Sequence, residues 1–323
     1  MDIIKINDEK KCNEILNTYR KLYAYDYKKD YFLKDSDNDI DEKGNLKAEK
    51  KENLFKTAKM SADDSLVVAK KKNITDEKKL TEIYKESYKK ITLNPYNSFS
   101  RDKSNAYKLA KCLGIRVCPY CNINYIYVVK GKNKDDNISR PDFDHFYSKS
   151  KHPELQLRLR NLVPSCLVCN RTIKHEKEFD EIKNLNPYMY SFDKIKYFDI
   201  DFSGDNSLSE EDRIFSVLKQ ELPEENFQIV FRNKPDANKK DIIRADGNIK
   251  DLKLLERYQY HKDVVVDIIK KYRTYNQFRL NELANYSESK KMLFDSLFSE
   301  LTCSINNTSL GKLKKDIIKK YVK

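Results

Sequence analysis

The sequence lacks any apolar run long enough to span a membrane, and its opening residues, MDIIKINDEKK, lack the apolar stretch of a secretory signal. Membrane insertion and export are therefore not expected, and the chain is read as soluble and cytoplasmic. No internal repeat is visible, which excludes a solenoid architecture. Tryptophan is absent, and only four histidines are available to compete for any acid–base role.

Charge and tyrosine are abundant. The 323 residues carry 64 Lys and Arg against 51 Asp and Glu, a formal net charge of +13, which favours polyanionic partners through long-range attraction and counterion release. The same balance also fits a merely solvated basic surface. Charged residues make up 36% of the chain, but 22 Tyr and 15 Phe supply enough apolar area to argue against disorder.

The expected fold class is α+β, mostly helical, with a small core bracketed by cysteine pairs. Three divisions are expected: a helical N-terminal region (1–106), a cysteine- and histidine-bearing core (107–182), and a mixed then helical C-terminal region (183–323). Helical spacing relates Leu16, Tyr19, Leu22 and Tyr23, and again Leu80, Ile83, Tyr84 and Tyr88. The charged segment 34–52 reads as a linker. Strands are expected over 123–129, within 140–146 and at 227–231, and a helix over 171–180. One apolar stripe runs through 251–272 (Leu255, Tyr258, Val265, Ile268, Ile269, Tyr272). A basic amphipathic helix is expected at 311–323; such a helix either packs its apolar face or binds an acidic surface.

The cysteines are the most specific signal. Cys118-Pro-Tyr-Cys121 and Cys166-Leu-Val-Cys169 are two Cys-x-x-Cys knuckles separated by 44 residues. In a reducing compartment such pairs read as metal ligands before disulfides, and two of them complete a closed tetrahedral Zn²⁺ site that is structural rather than catalytic. Cys12, Cys112 and Cys303 read as isolated thiols.

The 44-residue insert carries the chemistry. Asp144-His145 sets a hard oxygen ligand beside a titratable imidazole at the end of an expected strand, and Asn170 follows the second knuckle. Cutting a phosphodiester needs a base to activate water and a cation to stabilise developing charge, and hard oxygens suit Mg²⁺ or Mn²⁺. Asp142 shares a strand face with Asp144. His152 and His175 read as surface histidines, and His261 lies in the C-terminal helical region outside this constellation. Residues 110–178 carry 13 Lys and Arg against 7 Asp and Glu, 13 − 7 = +6, as phosphate contact requires. Tyr120, Tyr125, Tyr127 and Tyr147 lie among these charges, available either to pack the hairpin or to stack on bases.

These residues resemble the HNH family of ββα-metal endonucleases in its zinc-containing branch. Fifteen residues separate His145 from Asn161 and eight separate Asn161 from Asn170, as in that family. The resemblance implies His145 as general base, Asp144 and Asn170 as ligands of the catalytic Mg²⁺ or Mn²⁺, Asn161 as the residue that holds the histidine-bearing loop, and Lys174 and Arg171 as phosphate contacts. Asn170 stands where the family name has histidine. A looser similarity, through the string HFYSKSKHPELQLRLRNLVPSCLVCN and LNPY at 185–188, is to HNH proteins of bacterial anti-phage defence operons such as the nuclease subunit of Septu systems. It implies DNA as substrate and an ATPase partner subunit. RNA cleavage by the same site, and a non-catalytic zinc-stapled module that only binds nucleic acid, remain alternatives.

Overall fold

The computed structural model describes residues 1–16 apart from 5 and 7, 99–132 apart from 101 and 102, 137–150, 157–202, 223–285, 289–299 and 304–321, together with 209, 212–214 and 219. The expected helices around Tyr19, Leu22 and Tyr23 and around Leu80, Ile83, Tyr84 and Tyr88, the 34–52 linker, His152 and Cys303 lie outside the described residues.

The described chain is α+β. Helix α1 (9–16) begins where the Asp8 carboxylate accepts from the Lys11 N–H at 2.9 Å, an N-cap that satisfies an orphan donor. Helix α2 (Lys103–Leu113) ends at Gly114, whose φ of 65° lets its N–H turn back onto the Ala110 carbonyl at 3.2 Å. The two helices are joined by a disulfide between Cys12 and Cys112, with Cα atoms 6.2 Å apart. The expectation of isolated thiols at these two positions is therefore corrected. They are 100 residues apart in sequence, and only the packing of α1 on α2 brings them together.

Three two-stranded antiparallel sheets follow: β1 (Val129–Lys130) with β2 (Asn137–Ser139), β3 (Asp142–His145) with β4 (Leu162–Ser165), and β5 (Lys196–Phe202) with β6 (Phe227–Asn233). The strand expected over 123–129 is mostly absent. The chain there makes one bridge, Tyr125 to Val117, and becomes a strand only at Val129. The first cysteine knuckle takes the backbone bonds instead, with the Cys118 N–H on the Asn124 carbonyl and the Asn122 N–H on the Cys118 carbonyl. The expected helix over 171–180 begins earlier and stops sooner, as a π-helical segment, Val168–Lys174.

The C-terminal half supplies most of the helices: α3 (Lys239–Asp251), α4 (Leu254–Tyr258), α5 (Lys262–Thr274), α6 (Gln277–Ala284), α7 (Lys290–Leu297) and α8 (Gly311–Tyr321). The stripe through 251–272 is broken. Lys253 adopts a left-handed conformation, Gln259–His261 is 3₁₀, and Leu255 faces solvent while Tyr258, Val265, Ile268 and Ile269 are buried. The Gln259 side chain explains the break, because it bonds both the N–H and the carbonyl of Ile229 on β6. Helix α8 buries Leu313, Ile317 and Ile318, and its Asp316 accepts from the Phe198 N–H of β5 at 2.9 Å. Residues from all three expected divisions, from Met1 to Ile318, join one hydrophobic core. Among the described residues no helix is long and apolar enough to cross a membrane.

Helix α3 approaches the 183–185 segment so closely that a Cβ on Gly247 would lie 1.8 Å from the Lys183 carbonyl oxygen. Gly247→Ala is therefore expected to lower stability by about 1–3 kcal/mol, although alanine is the better helix former. Thermal unfolding of the variant checks this; an unchanged or raised Tm would mean that α3 does not pack there.

Candidate functional site

The four knuckle cysteines are buried, and their sulfurs lie within 4.8 Å of one another, an arrangement that could hold a metal ion. The Cys121 and Cys166 sulfurs are 4.0 Å apart. A tetrahedron with metal–sulfur bonds of about 2.3 Å has edges of roughly 3.8 Å, so the cluster has dimensions consistent with structural zinc. Backbone N–H groups of Ile123, Cys166 and Cys169 donate to the Cys121, Cys118 and Cys166 sulfurs, each at 3.4 Å, and stabilise negative sulfur. Hydrogen bonds from the neighbouring thiols, Cys118 first, hold Cys166 well below the usual thiol range, while burial pushes Cys118 up.

The C-terminal half encloses this cluster. The Arg257 guanidinium donates to the Cys169 sulfur at 3.3 Å; burial works against its charge, but the surrounding cysteines hold it cationic. The Tyr258 hydroxyl donates to the Cys121 carbonyl at 2.6 Å. Asn122, at φ 55°, is clamped by the 305–312 segment: its side-chain amide donates to the Ile305 carbonyl at 2.7 Å and its side-chain oxygen accepts from the Lys312 N–H at 2.8 Å. None of Arg257, Tyr258 and Asn122 was selected as a site residue from the sequence. Arg257 and Tyr258 lie far down the chain, and a lone arginine in a helix gives no local signal.

Strand β3 ends in Asp144 and His145, which pair with Val163 and Leu162 of β4. Asp144 and His145 are both buried and both line a pocket of about 500 Å³ shared with Asn170, Lys174 and His175. Asn161 locks the turn that follows the histidine. Its side-chain oxygen accepts from the Tyr147 N–H at 2.7 Å, its amide donates to the Tyr147 carbonyl at 3.1 Å, and its own carbonyl accepts from the Phe146 N–H at 3.0 Å. Asn170 donates through its amide to Asp142 at 3.2 Å, which leaves its side-chain oxygen as the acceptor available at the pocket.

The Asp144 carboxylate is bonded at both oxygens. Tyr120, from inside the first knuckle, donates to Oδ2 at 2.7 Å, and the Lys174 ammonium donates to Oδ1 at 2.9 Å and to the His145 carbonyl at 2.7 Å. Burial pushes the Asp144 carboxyl above the ordinary carboxylate range, against the pull of Lys174 and Tyr120. Lys174 was expected at a phosphate; it is instead only 3% exposed and lies 4.9 Å from the centre of the Phe179 ring. Its ammonium is paired with the Asp144 carboxylate, and it lines the pocket. Arg171 is largely exposed but grips Asp142 with two hydrogen bonds of 2.8 Å. A phosphate at Arg171 would compete with that pair.

No family model, no curated protein and no solved structure gives a significant match.

Of the tyrosines, Tyr120 and Tyr147 pack inside, against Phe179 and Phe146 respectively, whereas Tyr125 and Tyr127 are each 53% exposed with ring centres 5.8 Å apart. His261 stands beside Tyr258 in the C-terminal helices, away from the pocket lining. His175, expected to face solvent, is exposed and also lines the pocket.

The two donors on Asp144 predict an order of effects. Tyr120→Phe removes one neutral donor and is expected to cost about 1–3 kcal/mol. Lys174→Met strands a buried carboxylate and is expected to cost about 3–5 kcal/mol. Chemical denaturation of both variants checks the order. Equal losses would mean that the ammonium is not the principal partner of Asp144.

Proposed function

We propose that the chain is an HNH-type, ββα-metal endonuclease that hydrolyses phosphodiester bonds of DNA, with a structural Zn²⁺ in the four-cysteine cluster and a catalytic Mg²⁺ or Mn²⁺ at the pocket. The observation that carries the reading is the meeting of Asp144, His145 and Asn170 at one pocket, at the junction of a two-stranded hairpin and the short helix after it. The cysteine knuckles bracket the hairpin, and the +6 charge of residues 110–178 suits a phosphate backbone.

In this reading His145 is the general base that takes a proton from the attacking water. Asn161 fixes the turn behind it, so the imidazole is held in place without the ordering cost of a loose loop. The donor set for the divalent ion would be Asp144 and the Asn170 side-chain oxygen, both hard ligands of the type Mg²⁺ and Mn²⁺ take. Bound there, the ion would supply Lewis-acid stabilisation of charge on the phosphate and leaving oxygen. Tyr120 and Lys174 hold the Asp144 carboxylate in one orientation. The resemblance to defence-operon proteins supports an anti-phage role beside an ATPase subunit; co-purification from the native operon without any such partner would remove that part.

A second reading draws on one observation. Both Asp144 oxygens are already bonded within the protein, as they would be in a zinc-stapled module that binds nucleic acid without cutting it.

Purified protein is expected to nick supercoiled plasmid when Mg²⁺ or Mn²⁺ is added, and His145→Ala is expected to lower the rate by about 10²–10⁴-fold with the fold intact. Parallel incubation with RNA tells an RNase from a DNase. Metal analysis of the same preparation is expected to find one tightly held zinc per chain, retained in His145→Ala, because its four cysteines lie outside the pocket. Equal cutting by parent and variant would overturn the assignment of His145. Nucleic-acid binding without any cutting would favour the binding module.

A further inference from the structure

His175 stands where a side chain is sterically unwelcome. It follows the π-helical segment at φ 41°, ψ −108°, with its N–H donating to the Asn170 carbonyl at 2.9 Å. Such a backbone is ordinarily glycine's, because a Cβ crowds the neighbouring peptide groups. Gly114, Asn122, Lys253 and Leu310 also have positive φ, but Lys253, at ψ 42°, is left-handed helical, a region that His175 at ψ −108° lies outside. After His175 the Lys177 N–H closes a turn on the Lys174 carbonyl at 2.7 Å, so bonds on both sides hold the residue in this conformation. Residues in such conformations are held by the structure around them and cluster at ligand sites.

The imidazole lines the cavity with Asp144, His145 and Asn170, and it is exposed to solvent. Among the described residues its ring nitrogens have no hydrogen-bond partner. Of the other cations lining the pocket, the Lys174 ammonium is bonded to Asp144 and the His145 carbonyl, the Lys177 ammonium donates to the Asp251 carbonyl at 2.6 Å, and Lys149 is half-buried. Glu176 and Glu178 line the pocket too, so an anion bound there needs donors to offset them.

We propose that His175 is a substrate-contacting residue whose imidazole N–H donates to a phosphate oxygen of the nucleic-acid strand in the pocket. The proposal rests on the nuclease reading above, and it replaces Lys174 with His175 as the phosphate contact supplied by this turn.

Three variants separate the side chain from the backbone: His175→Gly, which relieves the strain, His175→Asn, which keeps an N–H donor on a similarly strained backbone, and His175→Ala. Each is made in the parent, for KM and kcat of plasmid nicking, and in a His145→Ala background, for the Kd of fluorescent DNA and RNA oligonucleotides. His175→Gly is expected to melt about 2 °C higher, yet to raise KM and weaken Kd by about tenfold, as loss of one hydrogen bond to a charged phosphate implies. His175→Ala shares that loss of affinity, His175→Asn stays within about threefold of the parent, and kcat changes little. Unchanged KM and Kd in His175→Gly would overturn the proposal. A parent that binds but never cuts, with weaker binding in His175→Gly, supports the phosphate contact while removing the nuclease reading. A parent that neither binds nor cuts removes both.

Discussion

Four sulfurs within 4.8 Å of one another set the geometry of the region around them. The two knuckles are 44 residues apart, so bringing them together closes the intervening chain into a loop whose ends are fixed. That loop contains the β3–β4 hairpin, and the second knuckle leads directly into the π-helical segment. Such a hairpin is too small to bury a core of its own, so the cluster and its surroundings must supply the missing support.

Tyr120 links this cluster to the pocket. It sits between two of the cysteines and donates its hydroxyl to Asp144, so any shift of the knuckle moves a donor on the carboxylate beside His145. From the other side, Arg257 and Tyr258 hold the cluster from α4, and the 305–312 segment holds Asn122. The C-terminal helices are therefore structural supports of the site as well as a neighbouring mass, and they belong to the same core.

The pocket also shows how charge is distributed around a buried carboxylate. Asp144 and Lys174 are both nearly inaccessible, and each would be costly to bury alone; together, with Tyr120 and the His145 carbonyl completing the hydrogen bonds, they are tolerated. That pairing leaves Lys174 unavailable to solvent, while His175, in the turn where the helix ends, stands exposed at the pocket.

Sequence spacing alone determined the local features. Two Cys-x-x-Cys turns mark a thiol cluster, an aspartate–histidine pair ends a strand, FQIVF at 227–231 is half-buried strand, and the apolar positions of 311–321 form a helix. Each is legible because neighbours within a few residues impose it through turn geometry, alternation or helical period. The tertiary structure decided what each group meets: Cys12 with Cys112, Lys174 with Asp144, Arg257 with Cys169, Gln259 with Ile229, and the pocket for His175. These partners lie from about 30 to 100 residues apart, where no period or spacing relates them; only the packing of whole elements brings a buried charge to its counter-charge.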